Sequence, residues 1–577
     1  MKTIMDLPTL SSGVRLLVLL CCTALMACGG GGSSKQAPVS SQSITLATSA
    51  ASVSAAINSS SGSPNNSSVN SSVAELMSIS GRVTYDFVPH NPNNYGLDYA
   101  ATVAKAGRNL VVELIDNRNV VVATTNTDNF GSYSLGVESG RMVKVRVKAQ
   151  SLRTQTPAWN FKVTDNTNAN SLYVMDGNLI AASEATAVRN LHANSGWGGS
   201  GYTDPRVAGP FAILDSVLSG VDRIVAADSQ VNFSPLELRW SVRNRTAEGD
   251  LTLGEIGTSF FSGTEIYILG SEDDDTDEYD QHVVLHEWGH YIERELSRSD
   301  SIGGDHMKGD KLDMRVAMSE GFANAFSAMI IDDPDYRDAS GTLQGGGFSN
   351  DVSQTNNTVK GWYSEASVQS VLYNFYASGN GKTPGNFADI FKVMHSVGYL
   401  ANEAMISIYV FAAELRNLLP MQAANFNSLL AEQDIELTNA LGDGEVNGGG
   451  YTKSLPVYKQ LVVDNSAVNV CSTNRFGSYN KLAVAQFLLL KVSSESKYQI
   501  SATEVGINSG NSDPDLYLYR NGKLFEYSED TQIDQEVFSL TLPAGTYVLE
   551  VVDDRVKYND GLNQTEACFD VRMQRVN

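Results

Sequence analysis

The residues His286 and His290, which enclose Glu287, constrain this chain more than any other feature. Side chains four positions apart on an α-helix lie one above the other on the same face. Two imidazoles in that arrangement can share one zinc ion at about 2.0–2.1 Å. Apolar residues at 283–285 precede the first histidine and favour a helix with a buried face. The pattern predicts a helix over 279–297 that carries two zinc ligands.

The full spacing is H-E-x-x-H, which is a signature of zinc metallopeptidases. Bound zinc lowers the pKa of a water ligand to about 7, so that hydroxide is available at neutral pH. Glu287 directly follows the first histidine. It is the candidate general base, taking a proton from that water and passing it to the leaving amine.

Zinc needs a third protein ligand, and Glu320 lies within apolar residues that predict a second helix over 316–331. H-E-x-x-H followed by a glutamate on a second helix resembles the gluzincins, the thermolysin-like zinc metallopeptidases. The resemblance is confined to these two helices. It implies that Glu320 completes the ligand set and that the residue four positions later orients a ligand histidine. The family has an aspartate there and this chain has Asn324, which lacks the charge.

Other third ligands stay open. The metzincin pattern fails, because Leu296 stands where that pattern requires a third histidine. Asp305 and His306 lie in a loop next to glycines and could reach the metal. Both residue types are ordinary zinc ligands.

A tetrahedral intermediate also needs a hydrogen-bond donor for its oxyanion. The gluzincin resemblance implies a tyrosine or histidine after the glutamate helix. Tyr363, at the start of a predicted helix over 364–377, is the preferred candidate, with Tyr373 and His395 as alternatives. Each of them could instead be a packing residue.

The N-terminus has the features of an export signal, with Lys2 and Arg15 flanking an apolar stretch too short for a confident membrane span. Leu25-Met26-Ala27-Cys28 resembles the bacterial lipobox, which implies a signal peptide over 1–27 and a lipid on Cys28. A plain signal peptide cut nearby is the alternative. Residues 28–76 are rich in Ser, Asn and Gly and predict a flexible linker. We expect an exported lipoprotein of the outer membrane or cell surface, anchored there or released.

Cys471 and Cys568 remain once Cys21, Cys22 and Cys28 are assigned to the signal segment and the lipid. An even number of cysteines in an oxidising compartment predicts a disulfide. Two buried free thiols are the alternative.

Strand-like alternation fills 77–150 and 456–577, on either side of a mixed helix and strand region at 151–455. Gly81-Arg82-Val83 and the run at 128–133 resemble the carboxypeptidase-regulatory, transthyretin-like β-domains. The runs at 513–519 and 542–547 resemble the bacterial pre-peptidase C-terminal domain. We therefore expect a multidomain protein in which an α+β zincin-like domain is flanked by two β-sandwiches.

Charge limits the partners. A net charge of −24 disfavours nucleic acid and anionic membrane surfaces, leaving a polypeptide substrate and a membrane contact only through the lipid. The acidic run at 273–278 could bind Ca²⁺ or form a solvated face that caps the following helix. The preferred function is an exported zinc endopeptidase. The alternatives are a catalytically silent adhesin or glycan-binding lipoprotein, and a zinc amidase that cleaves cell-wall peptides.

Overall fold

The computed structural model describes residues 75–378, 387–506, 510–559 and 565–576. The predicted signal segment, Cys28 and nearly all of the linker at 28–76 lie outside these residues. Strands dominate both ends of the described chain and helices dominate its middle. The protein is thus multidomain and rich in β-sheet, with most of its helices in one region.

The N-terminal part consists of strands joined by short turns. β5 alternates exposed and buried residues, as a strand with one covered face does, whereas β3 is buried along its whole length. These strands are β1 (Leu76–Phe87), β2 (Val103–Ala106), β3 (Leu110–Asp116), β4 (Val121–Asn126), β5 (Ser132–Glu138), β6 (Met142–Arg153), β7 (Trp159–Asp165), β8 (Ser171–Leu172), β9 (Val174–Asp176), β10 (Ile180–Ala181) and β11 (Leu191–Ala193).

The middle of the chain holds most of the helices. Among the described helices, none combines the length and apolarity needed to span a bilayer. The helices are α1 (Gly209–Ala227), α2 (Gln281–Leu296), α3 (Met314–Ile331), α4 (Glu365–Ala377), α5 (Phe387–Met394), α6 (Val397–Leu400), α7 (Ile408–Leu418) and α8 (Ala423–Glu432). The strands between them are β12 (Leu236–Trp240), β13 (Phe260–Phe261), β14 (Glu265–Ile268), β15 (Gly270–Ser271), β16 (Asp275–Thr276), β17 (Asp335–Ser340) and β18 (Gly346–Asp351).

The largest sheet continues across the predicted domain boundary at residue 150. Its main path is β13-β14-β12-β7-β6-β3-β4, and β6 itself runs from Met142 to Arg153. β6 continues past residue 150 to Arg153 without a turn, with residues 149 to 151 all buried, so the strand crosses the predicted boundary. The strands of 77–150 are divided between two sheets: β3, β4 and β6 lie in this large sheet, and β1, β2 and β5 lie in a four-stranded sheet with β11. In the large sheet, α1 packs against β6 and β7, and α2 packs against β13 and β14.

The C-terminal part is a pair of sheets around a shared apolar core. One sheet has the order β19-β21-β26-β23-β24 and the other β20-β27-β22-β25. Leu488 and Leu549 of the first sheet share one core cluster with Ile500 and Phe569 of the second. The elements are β19 (Tyr458–Leu461), β20 (Val468–Thr473), β21 (Ala485–Val492), β22 (Ser496–Glu504), β23 (Pro514–Arg520), β24 (Lys523–Ser528), β25 (Gln535–Leu542), β26 (Gly545–Asp553), α9 (Asp554–Tyr558) and β27 (Glu566–Arg575).

A disulfide joins two neighbouring strands of this C-terminal part. Cys471 on β20 and Cys568 on β27 face each other in the strand register and are bonded. The predicted disulfide is confirmed.

The C-terminal sheets are attached to the helical region through a buried charge cluster. Arg315, in the first turn of α3, donates hydrogen bonds to Asp313 at 2.8–2.9 Å and to both oxygens of Glu550 on β26 at 2.9 Å. A guanidinium fork matches a carboxylate in this two-bonded geometry. The start of α3 is thereby fixed against β26.

Candidate metal centre

Helix α2 carries both histidines and is packed closely against α1 and α3. A side chain at Gly220 of α1 would collide with the ring of Trp288. A Cβ added at Gly289 would lie 3.2 Å from Phe326 and 3.3 Å from the backbone of Ala323, both on α3. Small residues at these positions let the three helices approach. This close packing brings α3 next to the histidine face of α2.

Three side chains from these two helices converge. The Nε2 atoms of His286 and His290 are 3.1 Å apart. Oε2 of Glu320 lies 3.3 Å from Nε2 of His286 and 3.4 Å from Nε2 of His290. All three side chains can place a ligand atom within 4.8 Å of the others. Ligands around a tetrahedral zinc ion with bonds of 2.0–2.1 Å lie about 3.3 Å apart, so these separations fit one zinc ion.

The second nitrogen of each ring is held by a polar partner. Nδ1 of His286 lies 2.9 Å from Oδ1 of Asn324, and Nδ1 of His290 lies 3.2 Å from Oγ of Ser319. Ser319 in turn donates to Glu293 at 2.5 Å, and Glu293 is also 3.5 Å from Nδ1 of His290. A ring that donates from Nδ1 keeps the lone pair of Nε2 for a metal. Asn324 contacts the ring that it was predicted to orient, and its effect on a metal stays a prediction. The contacts of Ser319 and Glu293 were not predicted.

We expect Asn324→Ala to weaken zinc binding by about 10–100-fold, because the ring of His286 would lose the partner that orients it. Zinc affinity, measured by competition with a chromophoric chelator, is the test. Asn324→Asp is the matched variant, since it keeps an oxygen in the same place and should bind zinc at least as tightly as the natural protein. Equal affinity in the alanine variant would show that Asn324 does not orient the ligand.

Glu287 lies beside the converging ligands. Its side chain is buried with only 1% exposed, and its Oε1 is 4.0 Å from Nε2 of His286. It does not belong to the group of three ligand atoms. A buried carboxylate next to a metal site, but not bound to the metal, is in position to accept a proton from a reacting water.

His306 also reaches this region, although not as a member of the three-ligand group. Its Nε2 is 3.3 Å from Oε2 of Glu320 and 3.3 Å from Oε2 of Glu365. Burial alone would lower the pKa of His306, but the carboxylates of Glu320 and Glu365 raise it to about 10. His306 therefore holds the carboxylate of Glu320 from outside the ligand group. Asp305, the other alternative ligand, is exposed.

Glu365 was not predicted, because its sequence position marks only the first residue of α4, after the N-cap Ser364. It is buried with 5% exposed. Burial raises the pKa of its carboxyl group, and His306 offsets part of that rise. The signal that could have found it is a carboxylate in an otherwise apolar segment, which is costly to bury without a partner.

Tyr363, the predicted oxyanion donor, has its hydroxyl bonded to a residue outside the three-ligand group. Its hydroxyl donates to Oδ1 of Asn447 at 2.8 Å, and burial raises its pKa to about 12. The reason is the chain path before α4, where the Tyr363 carbonyl accepts from the backbone N–H of Leu312. Of the alternatives, Tyr373 packs on Tyr376, and His395 is exposed beside Phe391.

Comparison with known proteins gives one family match. Residues 228–423 match the Mycolysin C-terminal domain, which is less than half of the 577 residues. This range contains His286, His290 and Glu320. A search of curated proteins gives no match.

Three solved structures illustrate the similarities to single domains. The pre-peptidase C-terminal domain of a Bacillus anthracis collagenase is 9% identical, with 20% of this chain and 94% of that chain covered at a TM-score of 0.16. The copper-binding protein CorA of Methylomicrobium album BG8 is 10% identical, and the match covers 21% of this chain and 98% of that chain at a TM-score of 0.16. The lysozyme inhibitor PliG of Aeromonas hydrophila is 12% identical, and the match covers 20% of this chain and 99% of that chain at a TM-score of 0.13.

The family match, rather than these structures, bears on the identity of the chain. It associates the part that contains the converging histidines and glutamate with a domain of a secreted protease.

Proposed function

We propose that this protein is a zinc-dependent endopeptidase in which His286, His290 and Glu320 hold the metal and Glu287 is the general base. The convergence of two imidazole nitrogens and one carboxylate oxygen at 3.1–3.4 Å carries the proposal. Two neutral nitrogen ligands and one carboxylate are a ligand set used by catalytic zinc enzymes, which keep a further position open.

The polar atoms of the site support a bound cation. Oε2 of Glu320 is buried and has no partner with hydrogen-bond geometry among the described residues, although ring nitrogens of His286 and His290 lie 3.3 and 3.4 Å away. Burying an ionised carboxylate is costly unless a cation or hydrogen bonds compensate it. Oε2 of Glu320 also lies 3.3 Å from Nε2 of His306, again without hydrogen-bond geometry. An oxygen that faces the ring nitrogens of His286 and His290 at ligand spacing without bonding to them fits an ion between them.

In the proposed reaction, the metal and the side chains of the protein have different roles. A zinc ion held here would act as a Lewis acid on the attacking water and on the substrate carbonyl. Glu287 accepts a proton from the water on its carboxylate and gives it to the amine nitrogen of the leaving peptide. Asn324, Ser319 and Glu293 keep the two rings oriented, and His306 holds the carboxylate of Glu320.

The place of action follows from features outside the site. Export and the lipid on Cys28 stay predictions from the sequence, because they fall outside the described residues. The Cys471–Cys568 disulfide is typical of a protein that folds in an oxidising compartment. We propose that the substrate is a polypeptide met outside the cytoplasm.

The function is tested on the purified protein with an unfolded protein substrate such as casein. We expect about one zinc ion bound at the three-ligand group, hydrolysis of internal peptide bonds, loss of hydrolysis after chelation and recovery on adding ZnCl₂. Mass spectrometry of the products identifies the bonds that are cut. Undiminished cleavage by the metal-free protein would refute the proposal, and so would zinc binding without cleavage across a panel that includes cell-wall peptides.

A further inference from the structure

A second group of buried oxygen donors lies just before α2 and shares no residue with the three-ligand group. Asp275 on β16, Asp277 in the segment before α2 and Asp338 on β17 each offer a carboxylate oxygen, and these oxygens lie within 4.8 Å of one another. Both α2 and α3 lie between Asp275 and Asp338 in sequence. The fold brings them together by placing β17 beside β16 in one sheet.

Asp275 and Asp338 are partly buried and Asp277 is buried, and each has one buried oxygen without a hydrogen-bond partner in the part of the chain that the structure describes. Asp277 is 2% exposed, and the fully buried Asp280 stands next to the group. One oxygen of Asp277 accepts from Ser259, and Oδ2 of Asp280 accepts from the backbone N–H of Ala339 at 2.7 Å. Oδ1 of each has no hydrogen-bond partner among the described residues, and the same is true of Oδ1 of Asp275 and Asp338. Buried acceptors without partners are rare in native proteins and indicate an absent ligand.

The positively charged side chains near these three aspartates pair with other acidic residues. Arg206 pairs with Glu278, and Arg337 pairs with Asp333 and Asp335. His90 lies 3.2 Å from Asp280. Within the described parts of the chain, no ion pair at 4.0 Å or less involves Asp275, Asp277 or Asp338.

Like charges held this closely disfavour the ionised forms. Burial and the neighbouring carboxylates raise the pKa of Asp275 to about 8, and they raise the pKa of Asp277 and Asp338 well above the usual range. The group needs either protons or a cation to remain in place at neutral pH.

We propose that Asp275, Asp277 and Asp338 form a calcium-binding site, with Asp280 beside it. Calcium binds carboxylate oxygens at 2.3–2.6 Å, so two oxygens on opposite sides of one ion are about 4.6–5.2 Å apart. The three carboxylates each place an oxygen within 4.8 Å of the others, which is close enough for one calcium ion to bind all three. Magnesium is usually held by one or two carboxylates and keeps several waters, and zinc prefers nitrogen and sulfur ligands, so three carboxylates favour calcium.

Only part of the acidic run takes part in this site. Asp273 accepts from the backbone of Leu343, Asp274 accepts from Thr246 at 2.8–2.9 Å, and Glu278 pairs with Arg206. Calcium bound at the site would join β17, which follows α3, to the segment that leads into α2. It would thereby fix the two helices that carry His286, His290 and Glu320 relative to each other.

The test compares variants of the full chain after removal of metal and titration with CaCl₂. We expect calcium at a hundredfold excess over its dissociation constant to raise the melting temperature of the natural protein by about 5 °C. Asp277→Asn and Asp338→Asn should each lose this rise and lose one bound calcium by calorimetric titration. Without calcium, Asp277→Asn should be at least as stable as the natural protein, because one of the mutually repelling charges is gone.

Glu272→Gln is the matched control, because Glu272 belongs to the same acidic run but is exposed. This variant should keep both the calcium and the rise in melting temperature, and so should His286→Ala, which removes a zinc ligand only. MgCl₂ should give a smaller rise than CaCl₂. An unchanged calcium stoichiometry and thermal shift in both Asp277→Asn and Asp338→Asn would overturn the proposal, as would a natural protein that does not bind calcium.

Discussion

Glu287→Gln should reduce kcat/KM for peptide hydrolysis by about 10²–10⁴-fold and leave the zinc content unchanged. The amide has the shape of the carboxylate but cannot accept a proton from water. Zinc should stay bound because Glu287 is outside the group formed by His286, His290 and Glu320. Activity is measured on a quenched fluorescent peptide, and zinc by elemental analysis of the same preparation.

Glu295→Gln provides the control for this experiment. Glu295 lies on the same helix as Glu287, but it is exposed. Its Oε1 forms a surface ion pair with Nε of Arg294 at 3.8 Å. Such a pair contributes little to stability, so this variant should keep full activity. If Glu287→Gln hydrolysed peptides as fast as Glu295→Gln, another group would have to be the base.

The part of the site that was predictable from sequence depends on local periodicity. His286, Glu287 and His290 belong to one helix, and their relative positions follow from the helical repeat alone. Glu320 needed one further step, namely that two helices with apolar faces would pack together. The glycine at 289 and the apolar residues of α3 make that packing close.

What was missed depends on contacts between distant segments. His306 was predicted only as an alternative ligand, because it lies in a loop in which Gly303 and Gly304 have φ values of 62° and 96°, and no periodic pattern gives the direction of such a chain. The partner of Tyr363 was not predictable, because a residue just before a helix can face either side. Asp338 joins Asp275 and Asp277 only through the pairing of β16 with β17. Strand pairing over such a separation leaves no local signal.

The predicted domain boundary at residue 150 illustrates the same limit. Alternation along β6 correctly indicated a strand, but alternation does not reveal which strands are its neighbours. β6 pairs with β3 on one side and with β7 on the other, and β7 continues the sheet in parallel to β12. Because the two sequence segments contribute strands to one sheet, the alternation of residues within either segment does not show where one domain ends and the next begins.

Glu320→Gln should lower zinc affinity by more than about 100-fold. Burial alone would raise the pKa of Glu320, but His306 and His290 lower it well below the usual range, so the carboxyl group is ionised at neutral pH. Its negative charge is the only one in the three-ligand group, and the amide oxygen of glutamine provides none. Zinc affinity by chelator competition is the measurement, with circular dichroism to verify that the variant is folded.

Glu365→Gln separates the role of a metal ligand from that of a buried acid. Glu365 is also buried and also lies 3.3 Å from Nε2 of His306, but it is not part of the three-ligand group. Its loss of charge should therefore leave zinc affinity close to that of the natural protein. If zinc were released by Glu365→Gln and retained by Glu320→Gln, the third ligand would come from α4, and the metal would lie on the other side of His306.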